Sequence, residues 1–266
     1  MTAMETQTRM PVLFLGHGSP MNAIEDNAWR REWQRLGEIL PKPRAVLCVS
    51  AHWETRGVGV TASAQPKTIH DFYGFPQALF DFEYPAPGDP KLAQDIIAKL
   101  GADGVTIHAD REWGLDHGSW CVLSAMYPGA DVPVLQLSLD SSQPGAWHYA
   151  LAQRLAFLRE QGVLVVGSGD IVHNLMLLRR CGNAPADWAL RFRDRVNGLI
   201  AARDHAALCD WPALGADAAL AIPTPEHYLP LLYALALQRD DDRVETFNDD
   251  VFASLSMTSL LIAPAH

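Results

Sequence analysis

"PVLFLGHGSP" (residues 11–20) joins two patterns at one point. Pro11 to Gly16 is an almost unbroken apolar run, the habit of a strand buried on both faces in a parallel sheet. The chain then turns through Gly16-His17-Gly18 and meets Pro20. An imidazole between two glycines at the end of a buried strand raises the question of fold and of chemistry together. Three more runs share the first pattern: "AVLCVSA" (45–51), "VPVLQLSL" (132–139) and "VLVVGSG" (163–169). "GVGVTAS" (57–63), "GVTIHA" (104–109) and "RVETFND" (243–249) alternate more and read as further or edge strands.

Helical patterns fall between them. Trp29, Trp33, Leu36 and Leu40 share one face behind the capping residues "EDN". Asp89 caps a helix with Pro90 in its first turn and Gly101 as its stop. "GAWHYALAQRLAFLREQG" (145–162) and "ADWALRFRDRVNGLIAARDH" (186–205) are long and amphipathic. "TPEHYLPLLYALALQ" (224–238) offers Thr224 as cap and Pro225 at the first helical position. Strands alternating with helices predict an α/β layered fold, with a mainly parallel or mixed central sheet flanked by helices. No linker divides residues 1–266, so a single domain is expected.

Composition narrows the class. The 266 residues are 48% hydrophobic and 20% charged, ordinary for a globular enzyme. With 21 basic against 31 acidic residues the net charge is −10, which argues against nucleic acid or an anionic membrane as partner. Cysteines 48, 121, 181 and 209 form no C-x-x-C and read as small core residues in a reducing compartment. "MTAMETQTRM" has neither the basic nor the apolar region of a signal peptide, and no run approaches the ~20 apolar residues of a membrane span. These features predict a cytoplasmic protein, a monomer or small homo-oligomer.

The histidines stand out by position. His17, His52 and His173 each follow a predicted strand, and in open α/β sheets ligands bind beyond the carboxyl ends of strands. His227 falls third in the predicted helix behind Thr224, where the helix dipole keeps an imidazole neutral, as metal ligation requires. His173 gains the same setting if Asp170 caps a helix, and His117 in "LDHGSW" opens another. Any one of them alone is an ordinary turn or cap residue; together at one rim they suggest a metal centre. His148, His205 and His266 read as structural or surface residues, and His70 and His108 are left undecided. Imidazoles suit Zn, Fe, Cu and Ni, and a three-ligand face with open positions suits non-haem Fe(II). Such a face usually carries one carboxylate, so neighbouring Glu226 competes with His227 as ligand.

Residues 65–90, "QPKTIHDFYGFPQALFDFEYPAPGDP", are rich in aromatics and prolines without a period. They read either as a loop packed by its own rings or as a functional cover. "GSGD" (167–170) lacks the Lys-Ser/Thr of a phosphate loop, and "GHGSP" does not place Ser19 as a nucleophile elbow would.

"GHGSPMNA", "VSAHWET", "YGFP", "YPAPGDP", "GLDHGSWCVL", "VGSGDIVHNL" and "TPEHYLPL" resemble, in order and over nearly the whole chain, the 4,5-DOPA extradiol dioxygenase family of class III extradiol ring-cleaving dioxygenases. The resemblance implies Fe(II) as working metal, held by His17, His52 and His227, with Zn(II) able to replace it in isolated protein. It implies His173 as acid/base, close enough to the metal to count as a fourth ligand in some zinc-occupied members. His117 would orient substrate or oxygen. The reaction implied inserts O2 into a catechol such as L-DOPA and gives a ring-opened semialdehyde. A related branch uses a glutamate as third ligand, whereas this chain offers His227 beside Glu226. The 65–90 segment would then cover the substrate, with Phe72, Tyr73, Phe75 and Phe82 available to stack on its ring. The competing readings are a zinc hydrolase using the same histidines, with His173 as base toward a bound water, and a metal-binding protein without activity.

Overall fold

The computed structural model describes residues 9–182 and 184–265. His266 and the opening residues 1–8, on which the reading of the N-terminus partly rests, lie outside them.

The central sheet has six strands in the order Val134–Gln136, Ala45–Ser50, Val163–Gly169, Val12–Gly16, Ser259–Pro264, Asp242–Phe247. The first four run parallel, and Ser259–Pro264 pairs antiparallel with both of its neighbours, so the sheet is mixed. Side-chain alternation along each strand builds two layers of core. Val12, Phe14, Ala45, Leu47, Val163 and Val165 face helices Pro90–Ala102, Gly145–Gln153, Asp187–Ala201 and Leu229–Ala236. Leu13, Leu15, Val46, Cys48, Leu164 and Val166 face helices Ala28–Ile39 and His117–Met126. Burying each such side chain contributes roughly 1.5–3 kcal/mol, which is why these strands are apolar throughout.

Two helices are buried at every residue, His117–Met126 on one face and Leu229–Ala236 on the other. Both begin at the edge where the parallel strands end, and both lock that edge. Asp116 caps the first, accepting the Ser119 N–H at 3.0 Å. It also accepts the Ser50 hydroxyl at 2.7 Å, tying the helix start to the strand end that precedes His52. Against the second helix, a Cβ at Gly169 would collide with the His227 carbonyl oxygen, so glycine there allows strand and turn to touch. Gly18 sits at φ +61°, the left-handed region in which glycine meets no steric cost.

Several local expectations are corrected. His227 is not a helical residue: it lies in a turn, and the helix begins at Leu229 with Pro230 in its first turn. The Thr224 hydroxyl, expected to cap, donates instead to Glu226 at 2.8 Å. Asp170 caps no helix; Asn174 does, accepting the Leu177 N–H at 3.1 Å, and His173 precedes that cap in a bridge to Leu255. The long helix expected over 145–162 breaks into Gly145–Gln153 and Phe157–Glu160. The strand expected over 132–139 leaves the main sheet after Gln136, and Leu139–Asp140 pairs with Glu54–Thr55. Val58–Thr61 and Ile107–Asp110 pair with each other, apart from the main sheet. Ser259–Pro264, which no reading anticipated, is a central member of the sheet. Cys48 and Cys121 are buried and Cys181 and Cys209 half-buried, all as free thiols. Among the described residues no helix is long and apolar enough to cross a membrane.

Candidate metal centre

His17, His52 and His173 follow the adjacent strands Val12–Gly16, Ala45–Ser50 and Val163–Gly169, and converge at their carboxyl ends. His117 enters from the start of its buried helix, and His227 from the turn before Leu229. Ring centroids lie 5.1 Å apart for His17–His52, 5.4 Å for His17–His227 and 5.0 Å for His52–His227. His117 stands 3.8 Å from His52, and His173 stacks on His227 at 3.4 Å with the planes 6° apart. All five rings line one cavity of about 400 Å³, within the range of small-ligand sites.

The hydrogen bonds behind the rings settle which nitrogen faces inward. The Ser168 hydroxyl donates to the Gly118 carbonyl at 2.5 Å, so at 3.1 Å it accepts from His17 Nδ1. His227 Nδ1 donates to Glu226 Oε1 at 3.1 Å. His52 Nδ1 faces the Asp71 carboxylate at 3.3 Å. The bonds of His17 and His227 place their protons on Nδ1 and turn Nε2 lone pairs inward, and the carboxylate beside His52 Nδ1 favours the same tautomer there. His17 Nε2 and His52 Nε2 lie 3.1 Å apart, and His227 Nε2 is buried with no partner among the described residues. Lone pairs facing each other at this distance repel unless a cation lies between them. Nitrogens bound to one ion at ~2.0–2.1 Å are separated by at most ~4.2 Å, a limit that 3.1 Å satisfies. The donor set therefore fits a divalent metal, with every ligand backed by an acceptor in the manner of known metal sites.

Electrostatics agree. Burial first, then the neighbouring histidines, holds His17 and His227 well below the usual imidazole range. Burial and His117 lower His52 to about 3, and burial lowers His173 to about 4. The rings are neutral, the form that ligates. Asp170 Oδ1 accepts the Gly18 N–H at 3.1 Å, and its own N–H donates to the His227 carbonyl at 2.8 Å. Its Oδ2 is buried, without a partner among the described residues, and 3.9 Å from His17 Nε2. Burial pushes this carboxyl well above the carboxylate range, so with a neutral His17 the contact is no ion pair. A carboxyl left in this position gains from a nearby cation.

The structure brings together His17, His52, His117, His173 and His227, and leaves other candidates elsewhere. Glu226 stands behind His227, outside the groups of side chains that converge as a metal site. His148 is a core residue between Tyr233 and the Asp140 carbonyl, and His205 contacts Tyr149. Of the 65–90 segment, Phe72, Tyr73 and Phe75 line the cavity, while Phe82 stacks on Trp120 in the core. His70 pins the same segment by donating to the Phe82 carbonyl at 2.8 Å. Asp71 went unnoticed in the sequence, and Asp170 was read only as a possible helix cap. Asp71 lies in an aperiodic stretch, and its partners His52 and His117 are far along the chain. The "GSGD" motif drew attention to the same position, but as a phosphate loop that lacks its Lys-Ser/Thr.

Residues 11–260 match the family model described as the catalytic LigB subunit of aromatic ring-opening dioxygenase. The chain is 49% identical over 264 residues to a 4,5-DOPA dioxygenase extradiol of Escherichia coli (strain K12), covering 97% of this chain and 96% of that protein. It is 36% identical over 245 residues to a 4,5-DOPA dioxygenase extradiol of Beta vulgaris, covering 89% and 90%. The crystal structure of an uncharacterized Escherichia coli K12 protein superposes with a TM-score of 0.83 at 44% identity, covering 96% of this chain and 100% of that one.

Proposed function

The chain belongs to the family of catalytic LigB subunits of aromatic ring-opening dioxygenases and is an extradiol dioxygenase, and on that premise we propose that it opens a catechol such as L-DOPA with Fe(II) held by His17, His52 and His227. The supporting observation is the convergence of inward Nε2 lone pairs, each ring backed by its own acceptor, beside a cavity with aromatic walls. Held there, such an ion would supply redox-active Lewis-acid chemistry. Neutral imidazoles without thiolate suit both Fe(II) and Zn(II). Chemistry with O2 selects the ion that changes oxidation state, leaving Zn(II) as an occupant of isolated protein.

The protein's own groups bind, orient and move protons. A catechol loses a proton on binding and the opening ring needs one returned, work suited to an imidazole. His173 is our acid/base. Its ring enters neutral, stacked on His227, and takes no hydrogen bond from a described residue, so its nitrogens remain open to substrate. It lies outside the group formed by His17, His52 and His227 but within ligating reach of Asp170 and His227, so we assign it proton transfer first and a fourth-ligand role second. His117 commits Nδ1–H to Asp71 at 2.9 Å and so presents Nε2 as an acceptor to a substrate hydroxyl. Phe72 and Phe75 offer ring faces and edges to an aromatic substrate and limit water at the site. We assign this chemistry to one catalytic domain spanning residues 1–266, cytoplasmic, a monomer or small homo-oligomer, without nucleic-acid or membrane partners.

The test is anaerobic reconstitution with Fe(II), addition of L-DOPA or a simple catechol, and admission of air. Oxygen uptake matched to a yellow ring-opened product is expected. An iron-loaded protein that takes up no oxygen with any of a broad catechol panel would refute the reading, and metal-dependent ester or amide hydrolysis in its place would point to the zinc hydrolase.

A further inference from the structure

The segment that walls the cavity and the back of one candidate ligand meet at a single carboxylate. Asp71 Oδ1 accepts the backbone N–H of His117 at 2.8 Å, and Oδ2 accepts His117 Nδ1–H at 2.9 Å. The same Oδ2 lies 3.3 Å from His52 Nδ1. On the far side of that imidazole, His52 Nε2 faces His17 Nε2 at 3.1 Å. Next along the chain, Phe72, Tyr73 and Phe75 form one wall of the cavity. Phe72 packs edge-on against Phe75 with centroids 5.4 Å apart. The Trp120 indole donates to the Ile69 carbonyl at 2.9 Å, so the flanks of Asp71 are already fastened to the buried helix. Asp71 is thus the link between a covering segment and the face of an imidazole opposite its inward lone pair.

A cation on Nε2 draws electron density from the ring and makes Nδ1–H a stronger donor. A carboxylate behind the ring raises the basicity of Nε2 and fixes its aim. The two effects are the same coupling seen from either end, and linkage requires equal magnitude both ways.

We propose that Asp71 is a positioning residue that couples cation binding at the histidine cluster to closure of the 65–90 segment over the cavity. The proposal rests on the cluster holding a divalent ion and is independent of ring cleavage. Loss of an outer partner of this kind weakens metal binding ~10–100-fold, so the same factor should appear in the opening equilibrium of the segment.

The experiment measures amide hydrogen exchange of residues 65–90 and Zn(II) affinity by chelator competition, in the wild-type protein and in Asp71→Asn. Zn(II) should slow exchange in the wild-type segment by ~10–100-fold where local opening controls it. Asp71→Asn should lose most of that protection and bind Zn(II) ~10–100-fold more weakly. Its zinc-free thermal midpoint serves as the check on folding. Zn(II) binding that leaves wild-type exchange in 65–90 unchanged refutes the coupling, and this arm decides even if the variant fails to fold. Protection or affinity undiminished in a folded Asp71→Asn refutes the role of Asp71. A wild-type protein that binds no divalent ion overturns both this proposal and the metal-centre reading.

Discussion

Replacing Glu226 decides whether its carboxylate orients a ligand or is one. Glu226 Oε1 accepts His227 Nδ1–H at 3.1 Å and the Thr224 hydroxyl at 2.8 Å, with its side chain 18% exposed. Glu226→Ala leaves a buried N–H without an acceptor. A hydrogen bond to a charged group contributes ~1.5–3 kcal/mol. The 3.1 Å separation exceeds the ~2.7–2.9 Å of the strongest such bonds, which points to the low end, ~1.5 kcal/mol. That is about a tenfold loss of metal affinity. Glu226→Gln keeps an acceptor oxygen without the charge, and neutral bonds are about half as strong, so it should cost only about threefold. His227→Ala removes an inward lone pair and should abolish tight binding. Competition for Zn(II) against a chromophoric chelator measures all three on one scale. Glu226→Ala losing metal as completely as His227→Ala would make the carboxylate a ligand. An unchanged affinity in Glu226→Ala would show that the bond at His227 Nδ1 does not aim the ring. Either result refutes the reasoning.

His173→Ala should retain metal while turnover falls ~10²–10⁴-fold, whereas His17→Ala should lose the metal; equal metal loss in both would overturn the acid/base assignment. Gly169→Ala drives a Cβ into the His227 carbonyl, so it should cost ~1–3 kcal/mol of stability and weaken metal binding, read by thermal melting and the same chelator assay. The metal-free protein should also lose stability in mild acid. His173 is held at about 4 in the folded protein against ~6.5 when free, so between those values the unfolded chain binds a proton that the folded chain does not. Its contribution is intact above pH ~6.5 and is lost progressively as the pH falls through that window, by ~2 kcal/mol at pH 5 from this one site. His52, lowered to about 3, extends the loss further into acid. Melts of chelator-treated protein from pH 7 to 5 should fall by several degrees, and a flat profile would contradict a neutral cluster.

What the amino-acid order determines here is local or periodic. Apolar runs such as Val163–Gly169 bury both faces, so their strands and the parallel part of the sheet were legible, as was the likelihood of ligands beyond their carboxyl ends. Glycines around His17, and histidines placed just after three of those strands, mark one edge in the sequence itself. Helix ends were read less well. The placement of His227 in a turn depends on Pro230 in the first helical turn and on Thr224 spending its hydroxyl on Glu226. The strand Ser259–Pro264 was missed because its place comes from antiparallel pairing with Val12–Gly16, almost the whole chain away. The state of the site belongs to tertiary structure alone. Ser168 behind His17 and Asp71 behind His52 and His117 set which nitrogen carries the proton. The buried Oδ2 of Asp170 likewise acquires its meaning from the rings around it. Periodicity reports which face of an element is apolar; a tautomer or an unpaired lone pair depends on which atoms meet in space, and these partners meet only when the sheet brings its strand ends together.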